Sequence, residues 1–131
     1  MTDLFESLYC STFADGQSAA VVSRIVSVSR VRNAERNITG VLVFDGARFC
    51  QHLEGSRPMV LALMETLHRD SRHHSIITLH QEPLERRRHE KFSLGFAADV
   101  ESEELASIDA LRGEAAVARF LALLPHFDLG T

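Results

Sequence analysis

The chain predicts a two-layer α+β fold with elements in the order βαββαββ, and three observations predict it. Short segments alternate apolar and polar residues at period two, two longer segments carry apolar residues at helical spacing, and Asp45-Gly46 sits between two apolar runs as a tight-turn signal. The first strand covers about Leu4 to Thr12, with Phe5, Ser7, Tyr9 and Ser11 on one face and Leu8 and Cys10 on the other. Ala14-Asp15-Gly16 breaks it. A helix from about Ser18 to Asn33 follows, its stripe formed by Val21, Ile25, Val28 and Arg32. Ile38 to Phe44 and the run Phe49 to Gly55 make a hairpin around Asp45-Gly46. Ser56 then offers a cap and Pro58 a first-turn residue for a second helix ending near Arg69, with Val60, Leu63, Met64 and Leu67 as its inner stripe. Ser75 to His80 reads as a fourth strand and Phe92 to Phe96 as a fifth.

This order gives a ferredoxin-like sandwich: a five-stranded mixed sheet with both helices on one face. Right-handed crossovers lead us to expect the first and third strands as parallel neighbours at its centre. Residues 1–97 form this domain, and residues 98–131 are expected as a helical extension of two short helices broken near Gly113. Leu105, Ile108, Leu111, Val117, Phe120, Leu121 and Leu124 are available there to cover the second sheet face or to join another subunit.

Composition narrows the classes of function. The 131 residues are 45% apolar and 24% charged, ordinary for one globular domain with a real core. A net charge of −4 argues against a dedicated nucleic-acid or anionic-membrane binder. The start, Met1 to Glu6, has neither the basic nor the apolar region of a signal peptide, and no apolar run reaches membrane-spanning length. Two cysteines make no disulfide framework. A cytoplasmic protein is expected.

Gln51 is the anomaly. It shares a strand face with Phe49 and Leu53, so the sheet sets a primary amide among core residues. A buried amide left without partners costs about 1–3 kcal/mol. Tyr9 is the nearest candidate partner, and Asn33, at the end of the first helix, brings a second amide toward the same space. Tyr, Gln and Asn between two helices form a polar floor in an apolar slot, suited to a flat heteroaromatic ligand.

The chain here resembles the BLUF domains, flavin-binding sensors of blue light. The matching pieces are LYCS in the first strand, SRVRN leading to ITGVL, FCQHLEG, RDSRHHS after the second helix, and RRRHEKFSLG, over roughly residues 3–97. The resemblance implies an isoalloxazine ring between the two helices, with Gln51 against its N5/O4 edge, Tyr9 behind Gln51, and Asn33 on the opposite side. It also implies that Ser29, Arg32, Asp70, Arg72 and His73 lie near the ring or the ribityl phosphate. FAD is the implied cofactor, with FMN or riboflavin as alternatives. Light would drive a Tyr–Gln hydrogen-bond rearrangement without substrate turnover, so no enzyme activity is implied. Output would pass to a separate protein partner or through a change in a homo-oligomer. Tyr9 is the only tyrosine and tryptophan is absent, so no other easy electron donor exists in the chain.

The sequence departs from the family at Phe92 and Leu94, where Trp and Met are usual, at Asn37 in place of Gly, and at Thr66 in place of a basic residue. The competing reading is a non-photochemical interaction module that keeps the scaffold. His68, His73 and His74 fall at a helix end and in a loop, and no metal site is expected. Arg86-Arg87-Arg88-His89, between Glu85 and Glu90, reads as a solvated loop. Cys10 and Cys50 read as small core residues on neighbouring strands, where a redox link is conceivable.

Overall fold

In the computed structural model, residues 3–14, 19–97 and 104–129 are described. The Asp15-Gly16 break, the expected first residue of the first helix, Ser18, and residues 98–103 fall outside them. Chain order is β1 (Leu4–Phe13), α1 (Ala19–Glu35), β2 (Thr39–Phe44), β3 (Arg48–Ser56), α2 (Arg57–His68), β4 (His73–Pro83), β5 (Phe92–Ala97), α3 (Glu104–Asp109), α4 (Glu114–Leu123) and β6 (Phe127–Leu129). The expected mixed sheet is present, and β6, which the sequence reading did not foresee, adds a sixth strand in the order β4-β1-β3-β2-β5-β6.

One expectation is overturned. β1 and β3 are central neighbours but antiparallel, with Tyr9 opposite Gln51 and Cys10 opposite Cys50. The α1 crossover carries the chain past the place β3 will occupy, and the β2–β3 hairpin then reverses direction into the gap. The parallel pairing in this sheet is β2 with β5.

Local chemistry sets the joints. The Asp45 carboxylate accepts from the backbone N–H of Ala47 and Arg48, and Gly46 adopts φ 99°, closing the β2–β3 turn. Asn37 ends α1 in the left-handed region at φ 56°. Ile38 N–H donates to the Asn33 carbonyl and Asn37 N–H to that of Ala34, the paired bonds of a Schellman cap. Ser56 caps α2 by accepting from Met59 N–H. Gly40 lies so close to β3 that an added Cβ would sit 1.9 Å from the His52 carbonyl oxygen.

The sheet separates two apolar clusters. Phe5, Tyr9, Leu42, Phe49 and Leu53 face α1 and α2, where they meet Val22, Val60 and Met64. Leu8, Cys10, Val41, Val43 and Cys50 face α3 and α4, where they meet Leu105, Ile108, Val117 and Phe120. The C-terminal helices therefore cover the second face of their own sheet. The stripe of α1 is displaced from the expected one: Val22 is buried, whereas Val28 is 45% exposed. No described helix is long and apolar enough to cross a membrane.

Candidate functional site

A slot opens between α1 and α2 over the centre of the sheet. Its lining includes Tyr9, Gln51 and Phe49 from the sheet, Ser29 and Asn33 from α1, and Asp70, Arg72 and His73 beyond α2. Side-chain alternation brings Tyr9 and Gln51 into it together, because the two residues are directly paired across β1 and β3. The Tyr9 hydroxyl donates to Gln51 Oε1 at 2.6 Å. Tyr9, Asn33 and Gln51 are all buried, so three hydrogen-bonding groups sit beside the apolar side chains of Ile25, Leu42, Phe49 and Leu63. Burial, then the neighbouring Cys50 thiol and Asp70 carboxylate, push the Tyr9 phenol well above its ordinary range and keep it a neutral donor.

The Schellman cap fixes the height of Asn33, since its backbone carbonyl is the acceptor that closes the motif. At the other end of the slot, Arg72 Nε donates to Asp70 Oδ1 at 2.9 Å and Nη2 to Oδ2 at 2.5 Å. Those bonds to Arg72 hold the Asp70 carboxyl below the usual carboxylate range, and Asp70 raises the guanidinium in turn. His73 Nε2–H donates to the Leu67 carbonyl at 2.6 Å, and Nδ1 meets the Ser11 hydroxyl at 2.8 Å. Both ring nitrogens are thus engaged, and His73 pins the end of α2 to the sheet while its ring forms part of the wall.

Seven of the eight residues expected from the sequence line the slot. The eighth, Arg32, is exposed near the C-terminal end of α1 and is not among the lining residues. Ile25, Leu42, Leu63 and Leu67 complete the walls. Leu42 could have been found from the hairpin alone, because it pairs directly with Gln51. The Leu94 side chain lies outside the described atoms. Phe92, at the other departure from the family pattern, packs into the α1/α2-side core.

The underside of the sheet corrects another expectation. Arg87, Arg88 and His89 do not form a freely solvated loop. Arg87 donates to the Asn37 and Glu54 backbone carbonyls, and the N–H groups of Arg88 and His89 donate to the Glu54 carboxylate. Beside them His52 Nε2 contacts Glu6 Oε1 at 2.8 Å. Burial pushes the Glu6 carboxyl upward, but His52 and Arg88 outweigh it and hold the group below its ordinary range. On the same side of the sheet, the Cys10 and Cys50 thiols lie 3.1 Å apart. Burial, with the adjacent thiol, pushes Cys50 well up.

A family described as "BLUF: Sensors of blue-light using FAD" matches residues 4–95. Among curated relatives, the blue light- and temperature-regulated antirepressor BluF of Escherichia coli K12 is 32% identical over 55% of this chain and 18% of its own length. The photoactivated adenylate cyclase subunit beta of Euglena gracilis is 34% identical over 66% of this chain and 10% of its own. The chain thus spans under a fifth of these two relatives. Among solved structures, the dark state of BlrB, a BLUF protein, aligns with a TM-score of 0.79 at 28% identity over 92% of this chain and 93% of that one. BlsA in its ground state shares the fold with a TM-score of 0.79 at 20% identity. With the matched segment running from the start of β1 into β5, and a Tyr–Gln pair at the floor of the slot it encloses, this chain belongs to the BLUF family of flavin-binding blue-light sensors.

Proposed function

We propose that the chain holds oxidised FAD non-covalently in the α1–α2 slot and signals by rearranging the Tyr9–Gln51 hydrogen bond after blue-light absorption. The observation that carries this reading is the 2.6 Å contact from the Tyr9 hydroxyl to Gln51 Oε1 in a slot with apolar flanks and a polar end. The residues fit a flavin: Ile25, Phe49, Leu63 and Leu67 offer apolar flanks to a flat ring, while Asn33 and Gln51 offer amide donors and acceptors to its polar edge. Ser29, Arg72 and the more distant Arg32 would serve the ribityl phosphate side, with Asp70 orienting Arg72. His73 would act by holding the slot wall.

Bound flavin supplies the blue absorbance and, once excited, a one-electron oxidant. Tyr9 is the residue suited to give the electron. Its Oη proton has a short path onto Gln51 Oε1. The Gln51 amide carries a carbonyl and an NH2 group, so it can pass a proton and return to a different arrangement by rotation or tautomer change. Its altered hydrogen bonding toward the chromophore is the signalling state. Output then goes to a separate partner in the cytoplasm or through a change in self-assembly, and the free Cys10 and Cys50 thiols suit a reducing compartment.

The test is absorption spectroscopy of the purified chain in the dark and under blue light, with the extracted cofactor identified by mass. The wild type should be yellow and shift reversibly to longer wavelength. Tyr9→Phe should keep the flavin and lose the shift. A colourless protein, or an undiminished shift in Tyr9→Phe, would overturn the proposal and favour a non-photochemical interaction module.

A further inference from the structure

We infer that His52, Glu54 and His89 form a binding site for a zinc-like divalent cation on the sheet face opposite the flavin slot, clasping the loop before β5 onto β3. His52 Nδ1 and His89 Nε2 point at each other 2.9 Å apart. One ligand atom from each of His52, Glu54 and His89 lies within 4.8 Å of the other two. Tetrahedral zinc with Zn–N bonds of about 2.0–2.1 Å separates its ligand atoms by roughly 3.3 Å. The two imidazoles therefore need to part by only a few tenths of an ångström. His89 can give that movement, since it stands half-buried on the loop, whereas His52 is fixed in the middle of β3. Imidazole and carboxylate donors suit zinc and its neighbours in the transition series.

Two further features favour a cation over a simple histidine pair. The first is support for the ligand: His52 Nε2 lies 2.8 Å from Glu6 Oε1, which leaves Nδ1 as the nitrogen facing His89. That carboxylate–histidine relay is how proteins orient a metal-bound imidazole. The second is charge. Glu54 is fully buried, yet among the described residues its carboxylate accepts from Thr39 Oγ1 and from the backbone N–H groups of Arg88 and His89. Among the described residues, no cationic side chain forms an ion pair with it, and Arg88 turns its guanidinium to Glu6. Glu6 and Glu54 are direct partners across β1 and β3, so two buried carboxylates share this spot. Arg87 approaches that carboxylate only by way of Thr39 Oγ1 and the Glu54 backbone carbonyl, so a divalent ion would give it a direct positive partner, and three protein ligands leave a fourth position for water.

The test is calorimetric titration of the full chain with zinc chloride alone, alongside thermal unfolding. The wild type should bind one equivalent saturably and unfold at higher temperature when zinc is present. His89→Ala, a loop change outside the core, should fold and lose at least 100-fold in affinity; Glu6→Gln should lose about 10–100-fold by disorienting His52. The double variant His68→Ala/His74→Ala, at exposed histidines elsewhere, should bind as the wild type does. Absence of a saturable single site, unchanged affinity in His89→Ala, or loss of binding in the His68/His74 variant would overturn the assignment. Cobalt(II) in place of zinc supplies an independent readout, because tetrahedral ligand-field bands should appear in the wild type and vanish in His89→Ala.

Discussion

Gln51 and Tyr9 face one another because of a single register choice, and single-residue chemistry follows from it. Gln51→Ala removes the acceptor of the Tyr9 hydroxyl, so the expected outcome is a flavin-loaded protein with an altered dark spectrum and no light-induced shift; an absorption trace checks it. The Asp70–Arg72 pair gives a pH test. A carboxyl held down by its partner contributes stability above its unfolded pKa, about 3.9, and loses that contribution as pH falls through its lower folded value. Asp70→Asn should therefore unfold earlier than the wild type at pH 7, with the two curves converging below about pH 4; melting curves across pH measure this. Cys10 and Cys50 supply a third test. Both thiols are buried and burial raises the Cys50 pKa, so native protein should resist alkylation that proceeds readily after unfolding, as mass spectrometry would record.

At the scale of elements, much was legible because the signals were local. Asp45-Gly46 announced the hairpin, Ser56 with Pro58 announced α2, and the apolar period marked the inner stripe of α2. The errors came from long-range choices. Nothing in β1 or β3 alone states that β3 will fill the gap its own hairpin creates, and so antiparallel pairing replaced the expected parallel one. Arg87 to His89 look solvated by composition, yet the buried Glu54 needs their donors. β6 is only three residues long, too short for periodicity to reveal, and is defined by pairing with β5. Two backbone positions carry testable costs. Asn37→Ala, which loses a residue tolerant of the left-handed cap, should destabilise by about 1 kcal/mol, while Asn37→Gly should not. Gly40→Ala drives a methyl into a backbone carbonyl and should cost about 3 kcal/mol or more in denaturant unfolding.

The whole molecule is a sheet with a core on each side, and the two cores answer different needs. The α1–α2 side surrounds the slot in which we propose that flavin sits, so under that proposal a ligand completes part of its packing. The α3–α4 side is packed by the C-terminal helices, with Phe120 and Ile108 fully buried against β-strand residues. Phe120→Ala should therefore cost about 3–5 kcal/mol whether or not flavin is present, by denaturant titration. The candidate site was suggested by Tyr9, Asn33 and Gln51, which line the slot, because their types are out of place in a core. The polar group on the underside was not, because His52, Glu54 and His89 converge only once β3 and the distant loop have met.

Gln51 and His52 are joined by one peptide bond, yet Gln51 lines the slot while the His52 ring meets Phe120 on the other side of the sheet. A twist of the β3 backbone that re-aims the amide must also turn the imidazole behind it. Nitrogen-15 labelling of histidine thus installs an observer on the dark side of the sheet: its NMR resonance should move with illumination in step with the chromophore, although no atom of that ring borders the slot.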